Sequence, residues 1–220
     1  VFLEDGAQVL SAGYDRKLAR WKADGELLRG VETPSPITHM VAHEGNARAV
    51  TGHDDGSVRV WHLPELELAA EYYRVHQGAV RAVALHAPSG QIASSGRDGR
   101  VYLLRPNAQP LELPRPPTDA WSLAFPPDGA RLTGGGWFKL FDWDLRSAKL
   151  RVLNTAHGGI INGLHYSRDG TYVASISRQL DSSIYFLDPL TGEALQRFRP
   201  HELCGGDIRL SPEDAYLATT

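Results

Sequence analysis

The stretch Ala49-Val50-Thr51-Gly52-His53-Asp54-Asp55-Gly56-Ser57-Val58-Arg59-Val60-Trp61 is typical of two β-strands joined by a tight turn. Asp55-Gly56 favours a left-handed turn, because glycine adopts a positive φ without steric cost. Val58, Val60 and Trp61 are β-branched or aromatic residues, which are enriched in strands. We therefore predict a β-hairpin over this stretch.

The same pattern recurs on both sides of this hairpin. Thr51 and Ser94 stand at equivalent positions 43 residues apart, and Trp21 precedes Trp61 by 40 residues. A repeat of about 40–45 residues that contains four short strands is the sequence signature of a β-propeller blade. We therefore predict an all-β fold, a β-propeller built from four-stranded antiparallel blades.

Turn signals rich in glycine, proline and aspartate divide the chain into about five and a half repeats. Both ends fall inside a repeat, which fits an arc of a seven-bladed ring. We predict a single partial propeller over residues 1–220. Its predicted repeats are 1–33, 34–74, 75–117, 118–155, 156–199 and 200–220.

Composition and charge argue against several classes of function. The 220 residues include 23 basic and 26 acidic side chains, with a net charge of −3, so no global field favours nucleic acid or an anionic membrane. Cys204 is the only cysteine, which excludes an intrachain disulfide and a cysteine-rich zinc site and favours a reducing compartment such as the cytoplasm. No apolar run reaches the roughly 18 residues of a membrane span. We expect no nucleic-acid partner and no membrane-spanning segment.

The pattern Ser/Thr-Gly-x-x-Asp-Gly-x-Val-x-x-Trp at Thr51 to Trp61 resembles the WD-repeat family, and the resemblance extends over essentially the whole chain. The family's opening Gly-His is reduced to a single His in three repeats, and its Trp survives in two. We interpret these departures as a divergent, bacterial branch. Related stretches end at Trp21, Leu104, Phe141 and Leu187, and turns similar to the family's Ser-Pro-Asp-Gly occur at Pro127-Asp128-Gly129, Arg168-Asp169-Gly170 and Ser211-Pro212-Glu213-Asp214.

Two repeats contain the residue types of a hydrolase triad. The third repeat has His76, Ser94 and Asp98, and the fifth has the corresponding histidine, serine and aspartate. A catalytic serine would have to stand exposed beside an oxyanion hole, whereas these hydroxyls occupy the second strand of a packed blade. We therefore favour a structural role and predict no catalytic residue.

The resemblance assigns these residues to a network that braces the strands of one blade. An entry histidine, a strand hydroxyl, a turn aspartate and a tryptophan would share hydrogen bonds. The second repeat has no entry histidine and the third has no tryptophan, so both networks are expected to be incomplete. The residues assigned to the network are Ser11, Asp15, Trp21, Thr51, Asp55, Trp61, His76, Ser94, Asp98, His157, Ser175, Asp181 and His201.

Metal and cofactor signatures are weak. His39 and His43 have the i, i+4 spacing of a zinc-binding helix, but the surrounding pattern is that of a strand. Gly134-Gly135-Gly136 lacks the helix and the lysine of a phosphate-binding loop, and we interpret it as a turn between strands. No cofactor is expected.

The resemblance also implies which residues face a partner. They are the residue before each turn aspartate and the second residue of each inner strand. We predict a non-catalytic scaffold for protein–protein interaction that presents these side chains to a protein partner. Trp121 could instead belong to the core. The predicted partner-binding residues are Tyr14, Asp54, Arg81, Arg97, Trp121, Asn162 and Leu180.

Two other functions remain open. The chain could be the sensor or docking portion of a larger bacterial signalling protein, which is compatible with the scaffold. It could also be a propeller enzyme or redox domain with a site in its central channel. That site would need inward His, Asp or Glu residues from several blades, whereas the inner strands offer mostly aliphatic residues with scattered His39 and His165.

Overall fold

Short strands joined by turns make up the chain in a computed structural model, which describes residues 1–3, 6–43, 47–63, 65–178, 183–199, 206–211 and 213–219. These described residues contain no α-helix. Leu180, Asp181 and His201, which the sequence assigned to the partner surface or to the bracing network, lie outside the described residues.

Each group of four consecutive strands forms one antiparallel sheet, and this confirms the predicted all-β class and four-stranded blades. The first sheet contains β1 (Phe2–Leu3), β2 (Gln8–Ala12), β3 (Lys17–Lys22) and β4 (Leu27–Glu32). The second contains β5 (Ile37–His43), β6 (Arg48–His53), β7 (Val58–His62) and β8 (Glu67–Tyr72). The third contains β9 (Val80–His86), β10 (Gln91–Gly96), β11 (Val101–Leu104) and β12 (Leu111–Glu112).

The fourth sheet contains β13 (Ser122–Ala124), β14 (Arg131–Gly135), β15 (Lys139–Asp144) and β16 (Lys149–Asn154). The fifth contains β17 (Ile160–Tyr166), β18 (Val173–Arg178), β19 (Ile184–Leu187) and β20 (Ala194–Phe198). Strands β21 (Ile208–Leu210) and β22 (Leu217–Thr219) pair as a two-stranded sheet. Each sheet falls within one of the predicted repeat ranges.

The chain divides into two compact units. The first comprises Val1–Asp98 and Tyr102–Leu111, and the second comprises Gly99–Val101 and Glu112–Thr220. The first unit has two apolar clusters, one around Leu10, Leu18 and Trp61 and the other around Val50, Val80 and Ile92. Burying an aliphatic side chain of this kind contributes about 1.5–3 kcal/mol, so these clusters are the main stabilising feature of the unit.

The core of the second unit contains two large aromatic side chains. Phe141 and Trp143 are fully buried, and their rings meet edge to face. The Trp143 Nε1–H donates to the backbone oxygen of Pro114 over 2.8 Å, which satisfies the one polar atom of the side chain. A further cluster includes Leu140, Ile161 and Val173.

The fourth strand of each four-stranded sheet is mostly exposed. In the second sheet β6 and β7 are almost entirely buried, whereas five of the six residues of β8 are exposed. In each sheet, the turn between the second and third strands lies at the end of the sheet where the first strand begins. We call this the turn end, and it carries the side chains discussed below.

Candidate functional site

The hydroxyl of Thr51 is the centre of a buried hydrogen-bond chain in the second sheet. The Trp61 Nε1–H donates to Thr51 Oγ1 over 2.8 Å, and the same oxygen lies 2.8 Å from His53 Nε2. The other ring nitrogen, His53 Nδ1, lies 3.0 Å from the backbone oxygen of Ser35. The chain of bonds therefore runs from tryptophan through threonine and histidine to a backbone carbonyl.

This chain of bonds accommodates a neutral His53, and burial favours that form. A carbonyl oxygen only accepts, so Nδ1 must carry the proton, and Nε2 is then free to accept from the threonine hydroxyl. Burial lowers the pKa of His53, and the positive charge of Arg59 acts in the same direction. The second repeat has no entry histidine, as the sequence indicated, but its network is not incomplete as expected, because His53 supplies the imidazole from the strand itself.

The third sheet uses a histidine from a different place in the chain. Nε2 of His76 lies 2.9 Å from Ser94 Oγ, and Nδ1 lies 3.1 Å from a carboxylate oxygen of Asp98. Gly96 is the residue equivalent to His53 one repeat later, and a side chain there would collide with the His76 ring. The imidazole thus fills the same space in both sheets, although it comes from β6 in one and from the connection before β9 in the other.

The first and fifth sheets contain shorter versions of the network. In the first, the Trp21 Nε1–H donates to Ser11 Oγ over 2.8 Å, but Ser11 is exposed. In the fifth, His157 Nε2 lies 2.8 Å from the buried Ser175 Oγ, and the His157 ring packs edge to face on Tyr185. Tyr102 packs on His76 in the same way in the third sheet, so in both sheets a tyrosine ring packs on the histidine of the network.

Burial decides what the His76, Ser94 and Asp98 set can do chemically. Its hydrogen bonds have the order of a hydrolase triad, but Ser94 and the His76 side chain are both 0% exposed. A substrate carbonyl would have to displace packed core atoms to reach the hydroxyl. The geometry therefore supports the bracing role.

In the second and fourth sheets, the residue that pairs with the strand hydroxyl is a buried charged residue. It is a cation, Arg59, in the second sheet and an anion, Asp142, in the fourth. Arg59 is 2% exposed and pairs with Glu71 at 2.7 Å and Asp55 at 3.3 Å. Burial alone would raise the pKa of Asp55, but the hydrogen bond from Ser57 N and the charge of Arg59 outweigh it and lower that pKa. Each buried charge is paired, as its desolvation requires.

In the fourth sheet Asp142 is 1% exposed and accepts hydrogen bonds from Arg131 and Arg151. The neighbouring Thr133 hydroxyl lies 2.6 Å from the Tyr166 hydroxyl, and burial raises the pKa of Tyr166 to about 12. Asp142, Thr133 and Tyr166 are buried and hydrogen-bonded, so they serve the packing of the sheet.

Backbone hydrogen bonds fix the turn end of the first unit. Each segment that leads into a new sheet donates to, or accepts from, the turn between the second and third strands. Gly56 has φ +83 in one such turn, and a side chain there would collide with the backbone oxygen of His76. The bonds are Thr33 N to Arg16 O (2.7 Å), Ile37 N to Gly13 O (3.1 Å), Asp54 N to Pro36 O (3.0 Å), His76 N to Gly56 O (3.1 Å) and Arg97 N to Ala79 O (2.9 Å).

Three of the predicted partner-binding residues project from this fixed backbone. Tyr14, Asp54 and Arg97 are exposed at successive turns of the first unit, and Tyr14 is 67% exposed. Arg81, near the start of β9, is half-buried. The first unit therefore presents one aromatic and two charged side chains on rigid turns.

The predicted residues of the second unit are engaged with their neighbours. Trp121 is half-buried, and the guanidinium carbon of Arg178 lies 4.5 Å above its ring. Asn162 is also half-buried, and its Nδ2 donates to the backbone oxygen of Gly206. Trp121 thus belongs neither to the fully buried core nor to the freely exposed surface.

Sequence reasoning missed two exposed aromatic residues at the turn end of the second unit. Trp137 and Phe138 form the turn between β14 and β15, with exposures of 37% and 42%. Their ring centroids are 5.5 Å apart. Two consecutive aromatic residues directly after three glycines were the available signal in the sequence.

Neither a metal-binding cluster nor a membrane-spanning helix occurs in the described residues. No group of three His, Cys, Asp or Glu side chains there could hold a metal ion. His39 Nδ1 accepts from Val83 N over 3.3 Å, so one histidine of the weak zinc pattern contacts the next sheet. In the same described residues, no helix is long and apolar enough to cross a membrane.

Comparison with protein families matches part of the chain to the WD domain, G-beta repeat. The matched residues are 25–62 and 69–103, which include the second and third sheets apart from their ends. Both stretches contain a strand hydroxyl, an Asp-Gly turn and the strand that follows it. The family model therefore matches the part of the chain with the clearest hydroxyl networks.

Curated relatives match over longer stretches. Protein HIR1 of Cryptococcus neoformans is 28% identical over 194 residues, which are 83% of this chain and 19% of that protein. WD repeat-containing protein VIP3 of Arabidopsis thaliana is 37% identical over 109 residues, 47% of this chain and 33% of VIP3. The tRNA (34-2'-O)-methyltransferase regulator WDR6 of Bos taurus is 32% identical over 104 residues, 43% of this chain and 9% of WDR6.

The chain thus spans a third or less of the length of each of these relatives. The matches still agree with the geometry, because repeated four-stranded antiparallel sheets with a hydroxyl on the second strand are what WD repeats form. The WD-repeat family model, the WD-repeat relatives and the four-stranded sheets together support the assignment of this chain to the WD-repeat β-propeller family.

Proposed function

We propose that the chain is a non-catalytic scaffold for protein–protein interaction that contacts its partner through the turn end of its sheets. One observation carries this proposal: exposed side chains of Tyr14, Asp54 and Arg97 stand on turns that backbone hydrogen bonds hold in place. Side chains on a rigid backbone lose little conformational entropy on binding, so a protein surface of this kind binds efficiently.

The absence of catalysis is part of the proposal. The hydroxyls that could act as nucleophiles, Thr51, Ser94 and Ser175, are each 0% exposed and hydrogen-bonded to a histidine. The name of WDR6 describes a regulator of a methyltransferase, which supports a partner role in a related protein. We further propose that the partner is a protein and not a nucleic acid, because the chain has more acidic than basic residues.

Site-specific photo-cross-linking tests the proposed surface. A photoreactive phenylalanine analogue replaces Tyr14 in the 220-residue chain, and the matched control carries the same analogue at Leu68, which is 51% exposed on the outer strand β8. In extracts of the source organism, we expect cross-linked protein from position 14 and none from position 68. Equal cross-linking at both positions would overturn the turn-end surface, and none at either would overturn the scaffold.

Substitution of the network serines tests the absence of catalysis. Ser94→Ala and Ser175→Ala should each lower the free energy of unfolding by about 1 kcal/mol through a lost buried hydrogen bond. Neither change should alter partner cross-linking at position 14. A hydrolytic activity that either change abolished without loss of folding would refute the proposal.

A further inference from the structure

The turn between β14 and β15 exposes an aromatic pair in the second unit. Trp137 and Phe138 are 37% and 42% exposed, although large aromatic side chains gain most from burial. Trp, with Tyr and Arg, is the residue type most enriched where proteins bind one another. The packing of the sheet does not explain why both aromatic residues stand in this turn.

Backbone strain at Phe138 makes its position more unusual. Its φ is 59°, and it is the one aromatic residue among the non-glycine residues with positive φ in the described chain. A bulky residue in this region costs about 1–3 kcal/mol relative to an unstrained backbone. Glycine would avoid that cost, and the exposed ring recovers little of it by packing.

Hydrogen bonds lock this strained conformation. Phe138 N donates to the backbone oxygen of Gly159 over 3.1 Å, and Phe138 O accepts from Thr155 N at 3.2 Å and from Thr155 Oγ1 at 2.9 Å. The aromatic ring therefore projects from a fixed backbone and not from a mobile loop. A fixed exposed ring is suited to binding, because little conformational freedom is lost.

A cationic side chain lies on the same face of the sheet as Trp137. Ile160 pairs with Trp137 on one side and with Arg178 on the other. Directly paired residues point to the same face of a sheet. The Arg178 guanidinium carbon lies 4.5 Å above the ring of Trp121. Among the residues that the structure describes, no carboxylate forms an ion pair with Arg178. We call Trp121, Trp137, Phe138 and Arg178 the aromatic patch.

We infer that the aromatic patch binds an acidic segment of a partner protein in which a carboxylate side chain stands next to an apolar one. An arginine stacked on an aromatic ring keeps its edge N–H groups free for bidentate bonds to a carboxylate. The exposed rings of Trp137 and Phe138 would receive the apolar side chain. The inference rests on the proposed scaffold function and names the chemistry of the partner.

A single-stranded nucleic acid could also stack on aromatic rings beside an arginine. Such binding depends on a groove rich in basic residues, whereas this chain has 26 acidic and 23 basic side chains. An acidic protein segment therefore matches the aromatic patch better than a nucleic acid does, and the experiment below distinguishes the two ligands.

The test selects peptides from a random heptapeptide phage library on the immobilised 220-residue chain. We expect enrichment of peptides with Asp or Glu beside Leu, Phe or Trp. Fluorescence anisotropy then measures binding of the most enriched peptide to Phe138→Ala and Arg178→Glu, and both affinities should fall by about 10–100-fold.

Two matched controls come from the same unit. Phe198→Ala removes a phenylalanine that is 41% exposed on the outer strand β20, and Arg146→Glu reverses an exposed arginine after β15. Both should leave the affinity within about twofold, as expected of residues outside a binding site. Phe138→Gly should raise the melting temperature while it weakens peptide binding, a combination that a purely structural role would not produce.

The outcomes separate this inference from the scaffold proposal. If peptides bind but the patch variants bind as wild type does, or if no peptide or only basic peptides are enriched, the inference is overturned. The scaffold then stands as long as position 14 still cross-links a protein. If a poly-thymidine oligonucleotide binds and loses affinity in the same variants while the peptides do not, the patch recognises nucleic acid and the acidic partner is overturned.

Discussion

Removing the hydroxyl of Thr51 tests how far the buried network stabilises a sheet. Thr51→Val keeps the shape of the side chain and deletes the oxygen that contacts both Trp61 Nε1 and His53 Nε2. Ser11→Ala is the matched control, because Ser11 accepts the same bond from Trp21 Nε1 at the same distance of 2.8 Å but is exposed. The two changes differ in burial and in the contact with His53 that Thr51 also makes.

The expected magnitude follows from the number of buried groups that lose a partner. Thr51→Val leaves a buried indole N–H and a buried imidazole nitrogen without this hydrogen-bond partner. Each such group costs about 1–3 kcal/mol when it is unsatisfied. We expect a total loss of about 2–4 kcal/mol in the free energy of unfolding. After Ser11→Ala the partly exposed indole of Trp21 can bond to water, so the loss should stay below about 1 kcal/mol.

Urea unfolding followed by tryptophan fluorescence and by circular dichroism measures both values. Two probes are needed, because the chain has two compact units and its transition need not be two-state. Thr51→Ser restores the hydroxyl and should recover all but about 1 kcal/mol of the loss, the value of one buried methyl group. Equal losses for Thr51→Val and Ser11→Ala would refute the argument that burial sets the cost.

Three further changes probe the second and fourth sheets. Burial lowers the pKa of His53, so the unfolded chain binds a proton that the folded chain does not. The contribution of His53 to the free energy of unfolding should therefore be complete above about pH 7.5. It should decline as the pH falls through about 6.5, by at most about 1.4 kcal/mol per pH unit. His53→Gln should flatten that dependence in urea unfolding, and unchanged slopes would contradict it. Thr33→His combined with His53→Gly should rebuild in the second sheet the arrangement of the third. The double variant should lose at least about 1 kcal/mol less free energy of unfolding than the sum of the two single variants. Strictly additive losses in thermal unfolding would argue against this rearrangement. Asp142→Asn leaves two arginines facing each other and should cost about 2–4 kcal/mol, and a loss below about 0.5 kcal/mol in urea would show that the ion cluster contributes little.

The repeat period, the strands and the Asp-Gly turns could be predicted from the sequence because each depends on local residue types. The pairing of Thr51 with Trp61 was also predictable, since both belong to one hairpin. The role of His53 was not, because it depends on the space that Thr33 leaves where the next repeat has His76. Only an alignment of Thr33 with His76 and of His53 with Gly96, all at the 43-residue offset, carries that signal.

The exposed aromatic residues show a different limit. Gly134 and Gly135 belong to β14 and the turn lies at residues 136–138, whereas sequence reasoning placed the turn at Gly134-Gly135-Gly136 itself. It did not indicate that Phe138 adopts a positive φ and points outward, because an aromatic residue after strand-forming residues is usually buried. Trp121 was assigned either to the core or to the surface, and its stacking under Arg178 lies between the two. This contact joins residues 57 positions apart, beyond the reach of local patterns.

The exchange of His53 for His76 also bears on how such repeats diverge. The hydroxyl keeps its place on the second strand, while the imidazole that bonds to it has moved from one part of the chain to another. A duplicated repeat can therefore lose its opening histidine without losing its fold, provided that a ring from elsewhere enters the same space before or soon after the loss. Repeats that have drifted in this way would escape a search for the opening histidine and the closing tryptophan, and would be found by a search for a strand hydroxyl with a ring available from either position.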